Sequence, residues 1–285
     1  MTAQSVGTRL GRGLDVGGKL DPQARERTLE TIRAYMDDVR THGASIDVIA
    51  TSALRRTDDA PAFGDAVAAL TGAVPRIISG DEEAAYSFAG ATWGLRTAGR
   101  IGVLDVGGGS TELAVGTREA IERTISLEIG AVRLSEKFPA LLGERALDRD
   151  ECRALIGAAR AASDAVLAPL GDFEPFADLL AVGGTVFTAA AMLSGDPYLD
   201  GVRIDRAQRR AVIEDLLSRD LEARRRLPNI RPQRADILPA GLIIVDVACQ
   251  RLRIDALQVS HADLLAGYLH SPEYRSSAPP SVPRA

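Results

Sequence analysis

The sequence predicts an α/β protein of two domains, and three observations lead to this class. A chain of 285 residues is longer than one hydrophobic core usually organises. In its first part, segments with apolar residues at helical spacing alternate with short apolar runs typical of strands. The content of 46% hydrophobic and 26% charged residues is that of a folded globular protein. We place the boundary near Gly116–Arg118, between an α/β domain (1–116) and a helix-rich α/β domain (117–270).

The first domain is predicted to alternate helices with strands. Apolar residues recur at helical spacing after Pro22, and three acids occupy the first turn of a later helix, where carboxylates suit the helix dipole. The almost wholly apolar run Ile101–Val106 predicts a strand buried on both faces. The elements expected are helices at Pro22–His42, Pro61–Leu70 and Asp81–Trp93, and strands at Ser45–Ala50, Val74–Ser79, Ile101–Val106 and Glu112–Val115.

The second domain is predicted to contain longer helices and few strands. We expect strands at Ala120–Glu128 and Leu179–Val182, and helices at Asp148–Leu167, Asp205–Leu217 and Arg234–Leu252. The serine- and proline-rich end of the chain predicts a disordered tail over 271–285.

Charge and composition exclude several classes of protein. A formal charge of −5 opposes general nucleic-acid binding, which needs a basic surface to displace counterions. The start of the chain lacks the apolar core of a signal peptide, and the apolar run Ile237–Gln250 is interrupted by Asp246 well short of a membrane span. Cys152 and Cys249 are isolated in sequence, so we expect buried thiols in a cytoplasmic protein. From the charge and the lack of a membrane span, we expect neither nucleic acid nor membrane as partner.

The stretch VLDVGGGSTEL (Val103–Leu113) predicts a phosphate and metal site. Its glycines allow backbone amides to converge on an anion, and two hydroxyls follow as further donors. Asp105 and Glu112 accept hydrogen bonds only and would repel phosphate unless a divalent cation lay between. Hard oxygen ligands favour Mg²⁺, with Mn²⁺ as the other candidate. The residues assigned to the phosphate are Gly107, Gly108, Gly109, Ser110 and Thr111.

Three further segments leave alternatives open. The turn formed by Gly183, Gly184 and Thr185 follows a strand and opens a helix, so it suits either a second phosphate or a purely structural role. The acids Asp81–Glu83 suit a helix N-terminus as well as a site. A basic cluster suits either a solvated helix end or substrate binding. Its arginines are Arg224, Arg225, Arg226, Arg231 and Arg234.

Seven segments in one order resemble the exopolyphosphatase and guanosine pentaphosphate phosphohydrolase family, over residues 7–268. They are Leu10–Leu20, Ala50–Arg55, Ile78–Ala84, Leu104–Leu113, Ser126–Phe138, Val182–Thr185 and Arg234–Gly241. The resemblance implies two actin-like (ribonuclease H-like) domains around a cleft. It also implies residue roles: Glu83 matches the catalytic base, Asp105 and Glu112 match the acids that hold Mg²⁺, Gly107–Thr111 match a phosphate loop, and Arg55 matches an arginine that contacts phosphate.

The implied activity is Mg²⁺-dependent hydrolysis of the terminal phosphoanhydride of inorganic polyphosphate. A guanosine pentaphosphate 5′-phosphohydrolase would share every one of these residues, and a catalytically impaired polyphosphate- or alarmone-binding protein is a third reading. Family members carry strands and a first phosphate loop upstream of LGRGLD, and the first domain of this sequence lacks them. Either the start is misplaced, or the chain is truncated and its activity is impaired. The family also suggests a homodimer.

The sequence carries a lookalike of its glycine loop at GLDVGGKL (Gly13–Leu20). By the resemblance, this segment precedes the first long helix and its glycines make turns. We therefore predict that it is structural and that Asp15 is not a metal ligand.

Overall fold

The computed structural model describes residues 4–95, 99–272 and 274. Helices and strands alternate along it, which confirms the predicted α/β class. The helices are α1 (Leu14–Gly17), α2 (Pro22–His42), α3 (Ser52–Arg55), α4 (Ala60–Thr71), α5 (Gly80–Ala91), α6 (Ala131–Lys137), α7 (Arg149–Leu167), α8 (Gly184–Ser194), α9 (Arg206–Leu217), α10 (Leu221–Arg225), α11 (Leu238–Arg251) and α12 (Leu264–His270). The strands are β1 (Ile49–Ala50), β2 (Arg76–Ile77), β3 (Ile101–Val106), β4 (Thr111–Gly116), β5 (Ile121–Leu127), β6 (Asp178–Val182), β7 (Arg203–Ile204) and β8 (Leu257–Val259).

Six strands form one mixed sheet in the order β5-β4-β3-β6-β8-β7. Strand β3 pairs antiparallel with β4 and parallel with β6, so the chain before and after residue 116 contributes to the same sheet. Strands β4 and β5 are antiparallel neighbours, and the predicted boundary at Gly116–Arg118 falls in the turn between them. The predicted division between an α/β part and a helix-rich part therefore falls within a β-hairpin of one sheet.

The two faces of this sheet are covered differently. One face carries residues such as Leu104, Leu113 and Ala181, which belong to the largest apolar cluster together with residues of α7, α9 and α11. The other face carries Val103, Ala114 and Leu180, which pack against Ala84, Phe88 and Ala91 of α5. Successive side chains of a strand point to opposite faces, so the sequence alternation assigns each strand residue to one of these two layers.

The N-terminal part of the chain has its own small core, formed by Leu14, Leu20, Leu29, Leu54, Phe63 and Val67. Helix α2 agrees with its predicted bounds because Asp21 accepts a hydrogen bond from the Ala24 amide and Gly43 ends the helix with a positive φ of 59°. The two strands predicted here are reduced to β1 and β2, which pair in parallel as a separate two-stranded sheet. The predicted absence of further N-terminal strands stays a prediction.

The apolar run near residue 240 forms helix α11, in which residues from Leu238 to Cys249 are buried. Across the part of the chain that the structure describes, helices are too short or too polar to cross a membrane. Cys152 and Cys249 are both buried free thiols, as predicted. Of the predicted tail over 271–285, the described residues are 271, 272 and 274, so most of it lies outside them.

Candidate active site

Asp105 and Glu112 lie side by side because the register of two strands places them opposite each other. Strands β3 and β4 pair antiparallel with Asp105 facing Glu112, and directly opposed residues project from the same face of a sheet. This is the face covered by α5, since Val103 and Ala114, the next opposed pair on the same face, pack against that helix. The two carboxylates that the sequence assigned to a metal are therefore neighbours beneath α5.

The glycine loop between these strands is held in shape by the start of α6. The carbonyl oxygens of Gly107 and Gly108 accept hydrogen bonds of 2.9 Å from the amides of Ala131 and Val132. A Cβ on Gly130 would lie 2.4 Å from the Gly108 carbonyl, so the two backbones meet at a distance that only glycine permits. The Gly107 amide donates a hydrogen bond of 3.0 Å to the Ser110 carbonyl oxygen, which closes the turn. With the Gly107 and Gly108 carbonyls bound to α6, the amides of Gly108 and Gly109 are the ones placed to face a ligand on the other side.

The three acids at the start of α5 have three different partners. Asp81 accepts a hydrogen bond of 2.7 Å from the Thr124 hydroxyl. Glu82 completes a capping box with Ser79. Glu83 is 8% exposed and lines the same cavity as Asp105. Asp81 and Glu82 therefore have structural roles, and Glu83, which the resemblance assigned as the base, is the acid that reaches the cavity.

Arg55 is bonded to Glu83, which differs from its predicted contact with phosphate. One guanidinium nitrogen, Nη1, lies 2.7 Å from Glu83 Oε2 and 3.0 Å from the Ile78 carbonyl oxygen. The other, Nη2, lies 3.9 Å from Glu112 Oε1. Arg55 is not among the residues that line the cavity. Its position, next to Glu83 and outside the cavity lining, suits it to orient the Glu83 carboxylate.

The second glycine turn reaches the same cavity from strand β6. Gly183 has a positive φ of 92°, and a Cβ there would stand 2.8 Å from Asp105 Oδ1. A Cβ on Gly184 would overlap the guanidinium of Arg234. Thr185 opens α8 and lines the cavity. This turn is therefore glycine-rich because a carboxylate and an arginine approach its backbone closely, which joins it to the first loop in one site.

The cavity formed by these segments has a volume of about 370 Å³. Both glycine turns, the first turn of α5 and the start of α3 contribute walls, as do the N-terminal segment and residues before α11. Its lining includes Arg9, Ser52, Arg56, Glu83, Asp105, Gly107, Gly108, Gly109, Ser110, Gly183, Gly184, Thr185, Arg234 and Asp263. Most of the predicted site residues thus meet in one cleft.

Burial dominates the electrostatics of the carboxylates. It raises the pKa of Asp105 to about 7, with Glu83 adding to the shift and the Ser87 hydroxyl opposing it through a hydrogen bond of 2.9 Å. The pKa of Glu112 is raised well above its usual value, again by burial and then by Glu83 and Asp105. Burial also raises the pKa of Glu83, against the opposing effect of Arg55. Three carboxylates that repel each other in a buried place suit a cation.

A magnesium ion fits the donor set of this cleft, with two protein carboxylates and further oxygens from substrate and water. Glu112 Oε1 accepts a hydrogen bond of 2.7 Å from Ser126, while its Oε2 is buried without a hydrogen-bond partner. Within the described residues, no three His, Cys, Asp or Glu side chains come close enough together to hold a metal alone. Mg²⁺ commonly takes only one or two carboxylates and completes its shell with phosphate and water.

Thr111 is separated from the cleft by the alternation of its strand. Its hydroxyl donates a hydrogen bond of 2.6 Å to the Ile129 carbonyl oxygen, and it does not line the cavity. Because Glu112 points to the α5 face, its neighbour Thr111 points to the opposite one. Glu112 itself is 1% exposed and lies beneath the lining. The Thr111 hydroxyl therefore holds the backbone at Ile129, and the phosphate contact that the sequence predicts for this residue stays a prediction.

The sequence left the role of one polar side chain of the cavity open and gave no signal for others. Arg234 is one member of the basic cluster, and the close approach of Gly184 to its guanidinium distinguishes it from the others. Arg224 of that cluster is fully buried and donates to the carbonyl oxygens of Leu216 and Leu141, which is a structural role. Arg9, Arg56 and Ser52 also line the cavity. Arg9 and Ser52 carried no periodicity or spacing signal that pointed to a site.

Comparisons with known proteins point to one family. The model of the Ppx/GppA phosphatase family matches residues 1–274. Exopolyphosphatase 2 of Mycobacterium tuberculosis is 32% identical over 279 residues, covering 91% of this chain and 85% of that protein. A guanosine-5′-triphosphate,3′-diphosphate pyrophosphatase of Pseudoalteromonas atlantica is 28% identical over 92% of this chain, which spans 51% of that relative.

Solved structures give the fold. An exopolyphosphatase-like protein superposes with a TM-score of 0.80 at 26% identity, over 91% of this chain and 85% of that one. The Aquifex aeolicus Ppx/GppA family member gives a TM-score of 0.74 at 24% identity, over 95% of this chain and 88% of that one. These structures confirm the actin-like fold class that the sequence resemblance implied.

Proposed function

Because the chain belongs to the Ppx/GppA phosphatase family, we propose that it removes the terminal phosphate of inorganic polyphosphate in a Mg²⁺-dependent hydrolysis. The observation that carries this proposal is the position of the Glu83 carboxylate, which lines one cavity with Asp105 and the glycine loop. A buried carboxylate beside an anion-binding loop is the arrangement that phosphoryl transfer to water requires, since positioning and charge neutralisation provide most of the catalysis.

In the proposed reaction the terminal phosphoryl group lies against the amides of Gly108 and Gly109, with the Ser110 hydroxyl as a further donor. Glu83 accepts a proton from a water molecule as the water oxygen bonds to the terminal phosphorus. The bond from that phosphorus to the bridging oxygen breaks, and the shortened polyphosphate leaves with the bridging oxygen. The raised pKa of Glu83 makes it a stronger base than an exposed carboxylate.

Two arginines have distinct tasks in this scheme. Arg55 holds the Glu83 carboxylate by its 2.7 Å contact and so fixes the position of the attacking water. Arg234 lies against Gly184 and supplies positive charge to the cavity. Burial lowers the pKa of Arg234, yet a guanidinium remains charged at neutral pH.

Asp105 and Glu112 would hold the magnesium ion, and Mn²⁺ would suit the same oxygen donors. When bound, the ion neutralises the charge that develops on the phosphate oxygens. In its absence the two carboxylates repel the substrate, which is the reason to expect that phosphate release depends on the metal.

Guanosine pentaphosphate is the second candidate substrate, since the residues proposed to act on the phosphate would serve both. Relatives named as guanosine-5′-triphosphate,3′-diphosphate pyrophosphatases favour it, but the chain spans only about half of their length. The exopolyphosphatase 2 relative is matched over 85% of its length at higher identity. We therefore place polyphosphate first.

The test compares phosphate release from medium-length polyphosphate and from guanosine pentaphosphate, with Mg²⁺ and with chelator. We expect Mg²⁺-dependent release that Glu83→Gln lowers by about 10²- to 10⁴-fold, the usual contribution of a general base. Glu82→Gln is the matched control, because Glu82 is the adjacent capping residue and leaves the cavity unchanged. Phosphate release that is unchanged in Glu83→Gln would show that Glu83 is not the general base.

Binding is measured in parallel to separate an enzyme from a binding protein. Polyphosphate that binds without any release of phosphate, both in this chain and in a chain extended upstream, would favour the non-catalytic reading. Release only in the extended chain would assign the difference to the upstream phosphate loop that the family resemblance implies.

A further inference from the structure

A second cavity, larger than the catalytic cleft, lies between helices α7, α9 and α11. Its volume is about 750 Å³, within the range of small-molecule sites. It shares no lining residue with the phosphate cavity. We call it the α7–α9 groove, after the two helices that form its walls, with Asp246 of α11 between them. The proposed hydrolysis uses none of its residues.

One end of the α7–α9 groove carries more positive than negative charge. Asp246 is 2% exposed and pairs with three arginines. Arg160 is bonded to it directly, Arg209 Nε lies 3.3 Å from Oδ1, and Arg210 Nε lies 3.7 Å from Oδ2. Arg209 is buried outside the groove lining, so Arg160 and Arg210 against Asp246 leave one positive charge in excess at this end. Arg210 is half exposed and is held most loosely, so it can turn to an anion.

The rest of the groove differs from a surface made for anions alone. Arg149, Ile156 and Arg160 lie at helical spacing on one wall of the groove, along α7. From Arg149 to Arg160 this wall is about 16 Å long, at a rise of 1.5 Å per residue. The floor between the arginines includes Leu147 and Ile213, which are buried apolar side chains. A ligand that fills the groove therefore needs an anionic end and an apolar part.

The groove lining also includes a hydrogen-bond acceptor. Glu214 follows Arg210 by one turn of α9 and lines the groove. An ionised carboxylate accepts hydrogen bonds only, and it repels phosphate. It therefore suits the hydroxyl groups of a sugar placed between a phosphate at the Asp246 end and a planar apolar group over the floor, where Arg149 can stack on that plane.

We propose that the α7–α9 groove binds a nucleoside diphosphate, with its phosphates at Arg160 and Arg210, its ribose at Glu214 and its base on the apolar floor. The groove is a binding site separate from the catalytic cleft. A polyphosphate without sugar or base would use only the arginine end and would leave Glu214 facing phosphate.

Calorimetric titration of the full chain with ADP in EDTA tests this site, with inorganic pyrophosphate and adenosine as the two partial ligands. We expect ADP to bind, Arg210→Glu to weaken it at least tenfold, and each partial ligand to bind at least tenfold more weakly than ADP. Arg210→Lys, which keeps the charge on the same half-exposed position, should retain most of the affinity. Arg40→Glu, an exposed arginine on α2, is the control for net charge.

Two further readouts decide the assignment. Mg²⁺-dependent phosphate release should be unchanged in Arg210→Glu, which also shows that this variant is folded. ADP binding that is lost in Arg234→Ala but kept in Arg210→Glu belongs to the catalytic cleft and overturns the proposal. The absence of ADP binding at millimolar concentration also overturns the proposal. Pyrophosphate that binds as tightly as ADP would show that the groove does not recognise the nucleoside, which overturns the proposed ligand.

Discussion

The pentapeptide Leu-Asp-Val-Gly-Gly occurs twice in this chain, at residues 14–18 and 104–108, and the two copies have different structures. The first begins the short helix α1, with Gly13 before it at a φ of 74° and Gly18 at 65°. The second is the end of the central strand β3 and the start of the phosphate loop. The same five residues thus make a turn in one place and a candidate catalytic loop in the other.

The residues around each copy account for the difference. The second copy follows Ile101–Val103, an apolar run that forms a strand buried between two layers, and the start of α6 holds its glycines from below. The first copy follows glycines and an arginine, and its Gly18 carbonyl oxygen accepts hydrogen bonds from the Asp58 amide and the Thr57 hydroxyl. A local motif becomes a site only where the tertiary structure positions it.

The largest expected difference between the two copies is in the aspartate. Asp105→Asn should lower Mg²⁺-dependent phosphate release by on the order of 10²-fold or more, because it removes one of two proposed charged ligands of the ion. Asp15→Asn makes the same change in the first copy, and we expect phosphate release to stay within about twofold of the original. Steady-state kinetics over a range of Mg²⁺ concentrations measures both.

The structure describes the backbone of Asp15, while its side chain lies outside what is described. Its assignment as a residue that does not bind metal therefore stays a prediction. Loss of Mg²⁺ binding in Asp15→Asn, with an unchanged circular dichroism spectrum, would assign a metal role to the first copy and end the contrast between them.

Arginine provides the next contrast, between Arg55 behind Glu83 and Arg234 in the cavity wall. We expect Arg55→Lys to lower kcat by roughly tenfold with little change in KM, since a misplaced base slows chemistry more than binding. Arg234→Lys should instead raise KM, because Arg234 faces the substrate. If Arg55→Lys raises KM alone, Arg55 contacts phosphate as the sequence resemblance implied and its bond to Glu83 opens on binding.

Sequence patterns predicted the helices and the central strands well, because long amphipathic helices and apolar strands carry strong periodicity. They predicted the clustering of Glu83, Asp105 and the glycine loops through the family resemblance. The domain boundary stays a prediction, and the order of predicted elements did not show that the strands on both sides of it pair in one sheet. Sequence patterns also assigned Thr111 and Arg55 to phosphate, although strand alternation and a bond to Glu83 give these two side chains other partners.

Two glycine substitutions compare how strongly each copy of the pentapeptide depends on its surroundings, through the free energy of unfolding. Gly130→Ala places a Cβ 2.4 Å from the Gly108 carbonyl, so the loop or α6 must move, and we expect a loss of roughly 1–3 kcal/mol in the free energy of unfolding. Gly17→Ala, in α1, meets nothing within 4 Å, so a gain of about 0.5 kcal/mol is expected from its better helix propensity. Urea unfolding compares the two variants. Equal stability of both would show that α6 does not support the loop.

The smallest effect concerns Thr111, at the end of the same loop. Thr111→Val keeps the volume of the side chain and removes a hydroxyl that donates to the Ile129 carbonyl oxygen, leaving that buried acceptor unpaired. We expect the free energy of unfolding to fall by about 1 kcal/mol while KM for polyphosphate stays unchanged. Ser110→Ala, one residue earlier and in the cavity lining, should instead raise KM. A rise in KM for Thr111→Val that equals the rise for Ser110→Ala would place both hydroxyls on phosphate and contradict the assignment of Thr111 to the opposite face of the sheet.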